Sequence, residues 1–304
     1  GVINIDRNNS INKKLSFDYY KTGLIEKLND NYIQAINYWK KTIDLDYSNY
    51  AAHFNLGSVY DKLGKIDLAN ESYTKAININ PNYKNAIYNQ ALINLKKANF
   101  SKGWPGYDLR ENCLGTLKIY KSINIKKNQI WNGNPFNGTL VVHGEQGIGD
   151  EVLFSSILSE LKKIMPKLIV TLDDRLIPMM KRSFPSISFF NRYKKIYIDP
   201  NDTKHILFIS LGKFFRNSIK DFNKNNKPWL FADATKISNY KKKFVNSHKF
   251  KIGISWKTIG TNQYYRSIQL IDLANLFPKN LYEIINLQYG DIQKEIKNLE
   301  EKRI

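Results

Sequence analysis

The side chains best placed for chemistry lie between Thr139 and Phe154. An apolar run, Thr139-Leu-Val-Val-His143, enters a loop with Gly144, Gly147 and Gly149 and leaves as an amphipathic helix carrying Asp150. Glycine has no Cβ, so such a loop can take φ > 0 and let a bound group approach the backbone, while free N–H groups at a helix start favour anions. His143, Glu145 and Gln146 belong to the same loop. Asp150 has two readings: a carboxylate that takes a proton from a reacting hydroxyl, or one that accepts N–H bonds at its own helix terminus. The loop lacks the Gly-Lys-Ser/Thr of an ATP loop and reverses the Gly-x-Gly-x-x-Gly of a dinucleotide loop, so neither ATP nor NAD follows from it.

The elements that must position this loop read as an α/β domain. Strands are expected at Leu140–His143, Leu168–Leu172, Ser188–Phe190, Ile206–Ser210, Ile252–Trp256 and Tyr282–Leu287, with helices at Asp150–Lys163, Asp174–Ser183, Lys236–Phe244 and Ile268–Leu276. Apolar strands separated by helical crossovers imply a parallel sheet covered on both faces. Ligands of such a sheet bind beyond the carboxyl ends of its strands, where the glycine loop lies. Trp131-Asn-Gly-Asn-Pro-Phe-Asn-Gly138 supplies turn residues before the first strand, within a linker over 111–138.

The first hundred residues repeat. Gly23 and Gly57, Ala35 and Ala69, and Trp39 and Tyr73 are each 34 residues apart. Leu56-Gly57, Tyr60, Gly64, Ala69, Tyr73, Ala76 and Pro81 resemble the tetratricopeptide repeat, in which small residues let two helices approach and aromatics fill the groove between them. A degenerate third unit starts at Lys84, with Ala91 and Gly103 at small-residue positions, followed by Trp104, Tyr107 and Arg110. Helical repeats therefore occupy 1–110. So few repeats make a short solenoid, expected to lean on the next domain. The aromatics read as packing, with a peptide-binding concave face as the alternative.

Composition narrows the partners. The formal charge of +20 would suit a polyanion, but Lys, Asn and Ile are abundant together and the lysines run along the chain, as under biased codon usage. No nucleic-acid-binding motif is present. One cysteine, Cys113, and four histidines support neither a disulfide framework nor a zinc site, so a reducing, cytoplasmic setting is expected. No apolar run is long enough to span a bilayer, which leaves peripheral contact as the mode of membrane binding.

An ordered series of motifs adds a resemblance. It comprises His143-Gly-Glu-Gln-Gly-Ile-Gly-Asp150, Asp174-Arg-Leu176, Arg182-Ser-Phe-Pro185, Pro228-Trp-Leu with Ala232-Asp233, Gly253-Ile-Ser-Trp256, Arg266-Ser267 and Leu287-Gln288. Together with a Gly-Trp-x-x-Tyr-x-x-Arg pattern ending at Arg110, it resembles the bacterial tetratricopeptide-containing glycosyltransferases, whose GT-B domain is similar to the heptosyltransferases. The resemblance implies α plus α/β architecture: repeats, a Rossmann-like GT-B N-terminal (acceptor-side) domain over 139–250, and the beginning of a second Rossmann-like domain over 251–304. It implies inverting, metal-independent transfer from a nucleotide sugar to a glycan or protein acceptor, with no cofactor. Asp150 would be the general base. Gly144, Gly147, Gly149, His143, Glu145 and Gln146 would shape the acceptor side. Lys257, Arg266, Ser267 and Gln288 would meet the nucleotide sugar, the cations neutralising the diphosphate leaving group.

Lys251 to Ile304 gives room for about one β-α-β unit, and the family's later Asp-Ser/Thr and His motif has no match there. With a first residue other than Met, this predicts a fragment that is inactive by itself. The competing expectation is an interaction protein, in which the repeats recruit a peptide and the α/β portion is an inactive scaffold.

Overall fold

A computed structural model of the chain describes residues 2–113, 125–194, 196, 198–222, 227–245, 248–258 and 267–301. It divides into two compact units, Gly1–Phe231 and Ala232–Ile304.

The first unit opens with helices α1 (Val2–Leu28), α2 (Tyr32–Leu45), α3 (Tyr50–Lys62), α4 (Ile66–Ile79), α5 (Lys84–Lys96) and α6 (Phe100–Tyr107). They pack as successive pairs, α1 on α2, α3 on α4 and α5 on α6. The 34-residue period has a steric cause. A Cβ built at Gly23 would lie 2.5 Å from the Trp39 ring, and one at Gly57 would lie 2.6 Å from the Tyr73 ring. Glycine on one helix thus makes room for the aromatic on its partner, and both rings are buried. The turn inside each pair has one left-handed residue at the same repeat position: Asp30 (φ 60°), Gly64 (φ 72°) and Ala98 (φ 58°).

After the short helix α7 (Arg110–Cys113), the chain forms β1 (Thr139–His143), α8 (Ile148–Phe154), α9 (Leu158–Ile164), β2 (Leu168–Leu172), α10 (Ile177–Ser183), β3 (Ser188–Asn191), β4 (Thr203–Leu207), α11 (Gly212–Phe215) and α12 (Ile219–Phe222). The strands form one parallel sheet in the order β3-β2-β1-β4. Leu140, Val142, Val170, Leu172, Ile206 and Phe208 pack with Leu158, Leu161, Met165 and Trp131 into the core. The expectation of N-terminal helical repeats followed by an α/β region with a parallel sheet is met.

The fourth strand lies earlier than Ile206–Ser210. Phe208 still donates to His143 O (2.9 Å), but the Ile209 N–H turns to the Glu145 carboxylate (3.1 Å), and Ile209–Leu211 coil into a 3₁₀ turn. A buried charge has captured a ladder donor.

The repeats lean on the sheet domain, as a stack this short requires. Trp104 of α6 donates its indole N–H to Arg216 O (2.7 Å), and a Cβ at Gly212 would overlap its ring.

The second unit holds α13 (Ala234–Lys243), β5 (Phe250–Ile254), α14 (Leu270–Ala274), β6 (Tyr282–Asn286) and α15 (Gln293–Glu301), with β5 and β6 paired in parallel. Strand β5 stops short of Trp256 because the Gln288 side chain takes the Trp256 N–H (3.0 Å). Among the described residues no helix is long and apolar enough to cross a membrane, and no group of three or more His, Cys, Asp or Glu is placed to hold a metal.

Candidate functional site

Strands β2 and β3 run to one side of β1 and β4 lies on the other, so the loops after β1 and β4 diverge at their carboxyl ends. That divergence opens the crevice where α/β sheets hold ligands. Here the Arg110 side chain fills it. The guanidinium, with no solvent exposure, donates to Glu145 Oε2 (2.8 Å) and Oε1 (2.6 Å) after β1 and to Ser210 Oγ (2.9 Å) after β4. It also reaches Asp108 Oδ1 (3.1 Å) and Tyr107 O (3.3 Å). Burial works against the Arg110 charge, and the hydrogen bonds and charge of Glu145 outweigh it, raising the guanidinium above its ordinary value. Asp108 is further held by Ser210 Oγ (2.6 Å) and Lys213 Nζ (2.6 Å), and Gln146 Nε2 donates to the Tyr107 hydroxyl (3.1 Å). Glu145 and Gln146 therefore join the sheet to the end of the repeats.

A second charged cluster ties down the other side of the loop. Arg192, after β3, donates to the carbonyls of Glu145 (2.9 Å) and Gln146 (3.0 Å). Its Nη2 lies 3.0 Å from the buried Glu151 Oε1, an ion pair not aligned as a hydrogen bond, so this oxygen and Arg192 Nε lack an aligned partner. Glu151 Oε2 accepts the Asp173 N–H (3.0 Å); burial raises the Glu151 carboxyl above its ordinary value and outweighs this bond and the Arg192 charge, which both lower it. Gly144 makes room for this arrangement, since a Cβ there would overlap Glu151 Oε1 and lie 2.6 Å from Thr171 O.

None of Gly144, Gly147 and Gly149 has a left-handed backbone; the positive-φ glycines among the described residues are Gly64, Gly133 and Gly290. Gly147 precedes α8 with extended backbone (φ −81°, ψ 165°). Asp150, at the third position of α8, accepts the Gly147 N–H (3.2 Å), a side-chain cap that complements the helix dipole. Asp150 is half-buried, and a Cβ at Gly149 would meet nothing within 4 Å.

The His143 ring packs against the neighbouring strand. Its Nε2 lies 3.0 Å from Nδ1 of His205 on β4, and the rings stack at 5.2 Å. Burial, with the His205 ring beside it, pushes His143 down to about 3; burial pushes His205 down to about 4.

In the second unit, Gln288 Oε1 accepts from Ser255 Oγ (3.0 Å), Trp256 N (3.0 Å) and Lys257 N (2.9 Å), fastening the end of β5. Lys257 Nζ pairs with Glu295 Oε1 (2.8 Å), and Ser267 Oγ accepts the Thr258 N–H (3.1 Å). Arg266 lies outside the described residues.

The repeats present a third surface. Their first helices lie side by side: Asn55 of α3 donates to the Tyr20 hydroxyl on α1 (3.2 Å), Lys27 of α1 to Ser58 on α3 (3.3 Å), and Lys96 of α5 to Asp61 on α3 (2.9 Å). Asn55 is buried, and Tyr20, Lys27, Ser58, Asp61 and Lys96 remain part-exposed or exposed, as a mixed charged, hydroxyl and aromatic array.

Sequence reasoning singled out Glu145 and the pattern ending at Arg110 but not their pairing, and it missed Arg192, Glu151, Asp173, Asp108 and Ser210. Only Arg110 carried a signal, its place at the end of the repeat-junction pattern.

A tetratricopeptide-repeat family model matches residues 50–83. Protein FlbA of Caulobacter vibrioides is 25% identical over 236 residues, taking in 68% of this chain and 37% of FlbA. That share exceeds the repeat helices, so part of the likeness falls on the α/β region. The photosystem I assembly protein Ycf3 of Prochlorococcus marinus is 28% identical over 102 residues, 33% of this chain and 59% of Ycf3. The crystal structure of MamA is 28% identical, covering 31% of this chain and 54% of that chain at a TM-score of 0.30. The chain thus spans little more than a third of FlbA and under two thirds of Ycf3.

Proposed function

We propose that this chain is a protein-interaction scaffold whose tetratricopeptide repeats hold an extended peptide segment of a partner. The repeats over 1–110 present the segment, and the linker (111–138) and α/β domain (139–250) fix the direction of presentation. The observation that carries this reading is the side-by-side array of Tyr20, Lys27, Ser58, Asp61 and Lys96, held in place by the buried Asn55, on a stack whose C-terminal end is anchored by the buried Arg110–Glu145 pair. Ycf3, one of the relatives, is named for an assembly role. A preorganised face binds a flexible peptide with less loss of entropy than a mobile one. Panning a random-peptide library against the full chain tests it. Enriched peptides are expected to lose at least ~10-fold in affinity, about 1.4 kcal/mol, when Lys27 and Lys96 become Ala, and to be indifferent to Asp150→Asn. Failure to enrich any sequence, or peptides indifferent to Lys27 and Lys96, would sink the idea.

A second reading, the acceptor-side part of a GT-B glycosyltransferase with Asp150 as base, is favoured by one observation: the half-buried Asp150 carboxylate stands in the first turn of α8, just beyond the carboxyl end of β1. Its donor side, beginning at residue 251, would use Lys257, Arg266, Ser267 and Gln288 without a metal, in a cytoplasmic setting. None of the relatives named above bears a transferase name. Sugar transfer by the protein that Asp150→Asn abolishes with folding intact would promote this reading over the first.

A further inference from the structure

We propose that α13 and the residues just after it form a docking surface for an anionic lipid bilayer. Residues 234–251 contain six lysines (Lys236, Lys241, Lys242, Lys243, Lys249 and Lys251) and no Asp, Glu or Arg. In a chain whose lysines are otherwise spread out, this segment concentrates charge of one sign. The helix itself has no buried residue. It is nonetheless well started, because Asp233 accepts the Lys236 N–H (3.0 Å) as an N-cap.

The apolar side chains are arranged as well as exposed. With 3.6 residues per turn, Ile237, Tyr240 and Phe244 share one arc, flanked by Lys236 and Lys243 on one side and Lys241 on the other. Ile237 is 41% exposed, Tyr240 59% and, just beyond, Val245 71%. Tyr240 and Phe244 stack with ring centroids 6.3 Å apart, and Lys243 sits over the Phe244 ring (5.7 Å). An apolar stripe bordered by lysines suits the boundary between headgroups and acyl chains: the stripe sinks in while the stems lie along it and the ammonium groups stay among lipid phosphates. Nucleic acid fits less well. The segment has no arginine for bidentate phosphate contact, and Ile237 and Val245 gain nothing against a phosphate backbone but are buried by acyl chains. An acidic protein would satisfy the lysines, yet a narrow convex stripe offers it little enclosed area, whereas a bilayer moulds to it.

Flotation of the full chain with phosphatidylcholine vesicles, with and without phosphatidylglycerol, tests this. Salt-sensitive binding to the phosphatidylglycerol vesicles is expected. Replacing Lys241, Lys242 and Lys243 by Gln should cut it by roughly 100-fold, since each lysine near an anionic surface counts about fivefold. Replacing the exposed Lys13, Lys14 and Lys40 by Gln should change it by no more than about twofold, because they are not part of the proposed surface and exposed charges outside a contact are screened. Ile237→Ser with Tyr240→Ser, which leaves the charge unchanged, should weaken binding about tenfold through lost apolar burial. Tyr240→Trp provides an independent reading, a blue-shifted emission on the anionic vesicles that requires insertion. Absence of binding, equal effects of the two lysine triples, an unaffected Ile237/Tyr240 variant, an unshifted emission from the Tyr240→Trp variant, or lysine-triple loss of oligonucleotide or acidic-peptide binding with vesicle binding retained would each overturn the proposal.

Discussion

Arg110 and Glu145 share two parallel hydrogen bonds, 2.8 and 2.6 Å long, with the arginine wholly out of solvent. One residue ends the repeat helices and the other begins the loop after β1, so the pair joins two architectures that the sequence reads as separate. Removing one partner leaves the other's charge buried, a cost of about 3–5 kcal/mol. Arg110→Met and Glu145→Leu should each lower the chemical denaturation midpoint strongly. The double variant Arg110→Met/Glu145→Leu should recover much of the loss, and a double variant as unstable as the sum of the singles would argue against this coupling.

Gly144 and Gly149 should respond oppositely to alanine. At Gly144 the added methyl overlaps Glu151 Oε1 and crowds Thr171 O, so the ion pair with Arg192 must shift, and a loss above about 2 kcal/mol is expected. At Gly149, inside α8 with nothing within 4 Å, alanine should be neutral or stabilising by up to about 1 kcal/mol. Thermal melts of the two variants check the contrast.

Ala98 holds the left-handed turn position (φ 58°) that Gly64 occupies one repeat earlier. An L-residue there costs about 1–2 kcal/mol, partly offset by the backbone entropy that glycine loses on folding. Ala98→Gly should therefore stabilise the chain by up to about 1 kcal/mol, read as a rise in denaturation midpoint. Unchanged or lower stability would mean that the turn relaxes without it.

The stacked histidines make the fold sensitive to acid. In the unfolded chain both rings take up a proton near pH 6.5, whereas in the fold burial delays this to about 3 for His143 and about 4 for His205. The unfolded state then binds more protons, so stability falls as pH drops from about 6.5, down to about 4 for the His205 share and about 3 for the His143 share. Glu151, raised chiefly by burial, acts in the opposite sense above its ordinary 4.5. Denaturation midpoints measured against pH should slope downward towards acid in the wild type. The slope should flatten in His143→Asn/His205→Asn.

What the sequence disclosed and withheld follows from distance along the chain. The repeats were legible because Gly57 and Tyr73 meet on consecutive helices and the same meeting recurs at Gly23 and Trp39. The strands were legible as apolar runs, and the end of β4 was misjudged only where Glu145, 64 residues away, takes the Ile209 N–H. The partners of Arg110 and Arg192 were hidden, since both depend on β4 lying beside β1 while β2 and β3 lie beyond its other edge. No local pattern encodes that order. Loop residues rich in Gly, Glu and Asp look alike whether they await a ligand or hold an arginine from elsewhere in the same chain.

Trp104 under Gly212 and Arg110 against Glu145 also decide where this protein can be cut and respliced. The last helix of the stack belongs, mechanically, to the sheet domain as much as to the solenoid. A graft of foreign or additional repeats should keep everything from Phe100 onward native and place its seam in the turn around Ala98, since a seam placed after Tyr107 would take away the Trp104 ring that packs on Gly212 and donates to Arg216 O, and one placed after Arg110 would also leave Glu145 facing an empty socket.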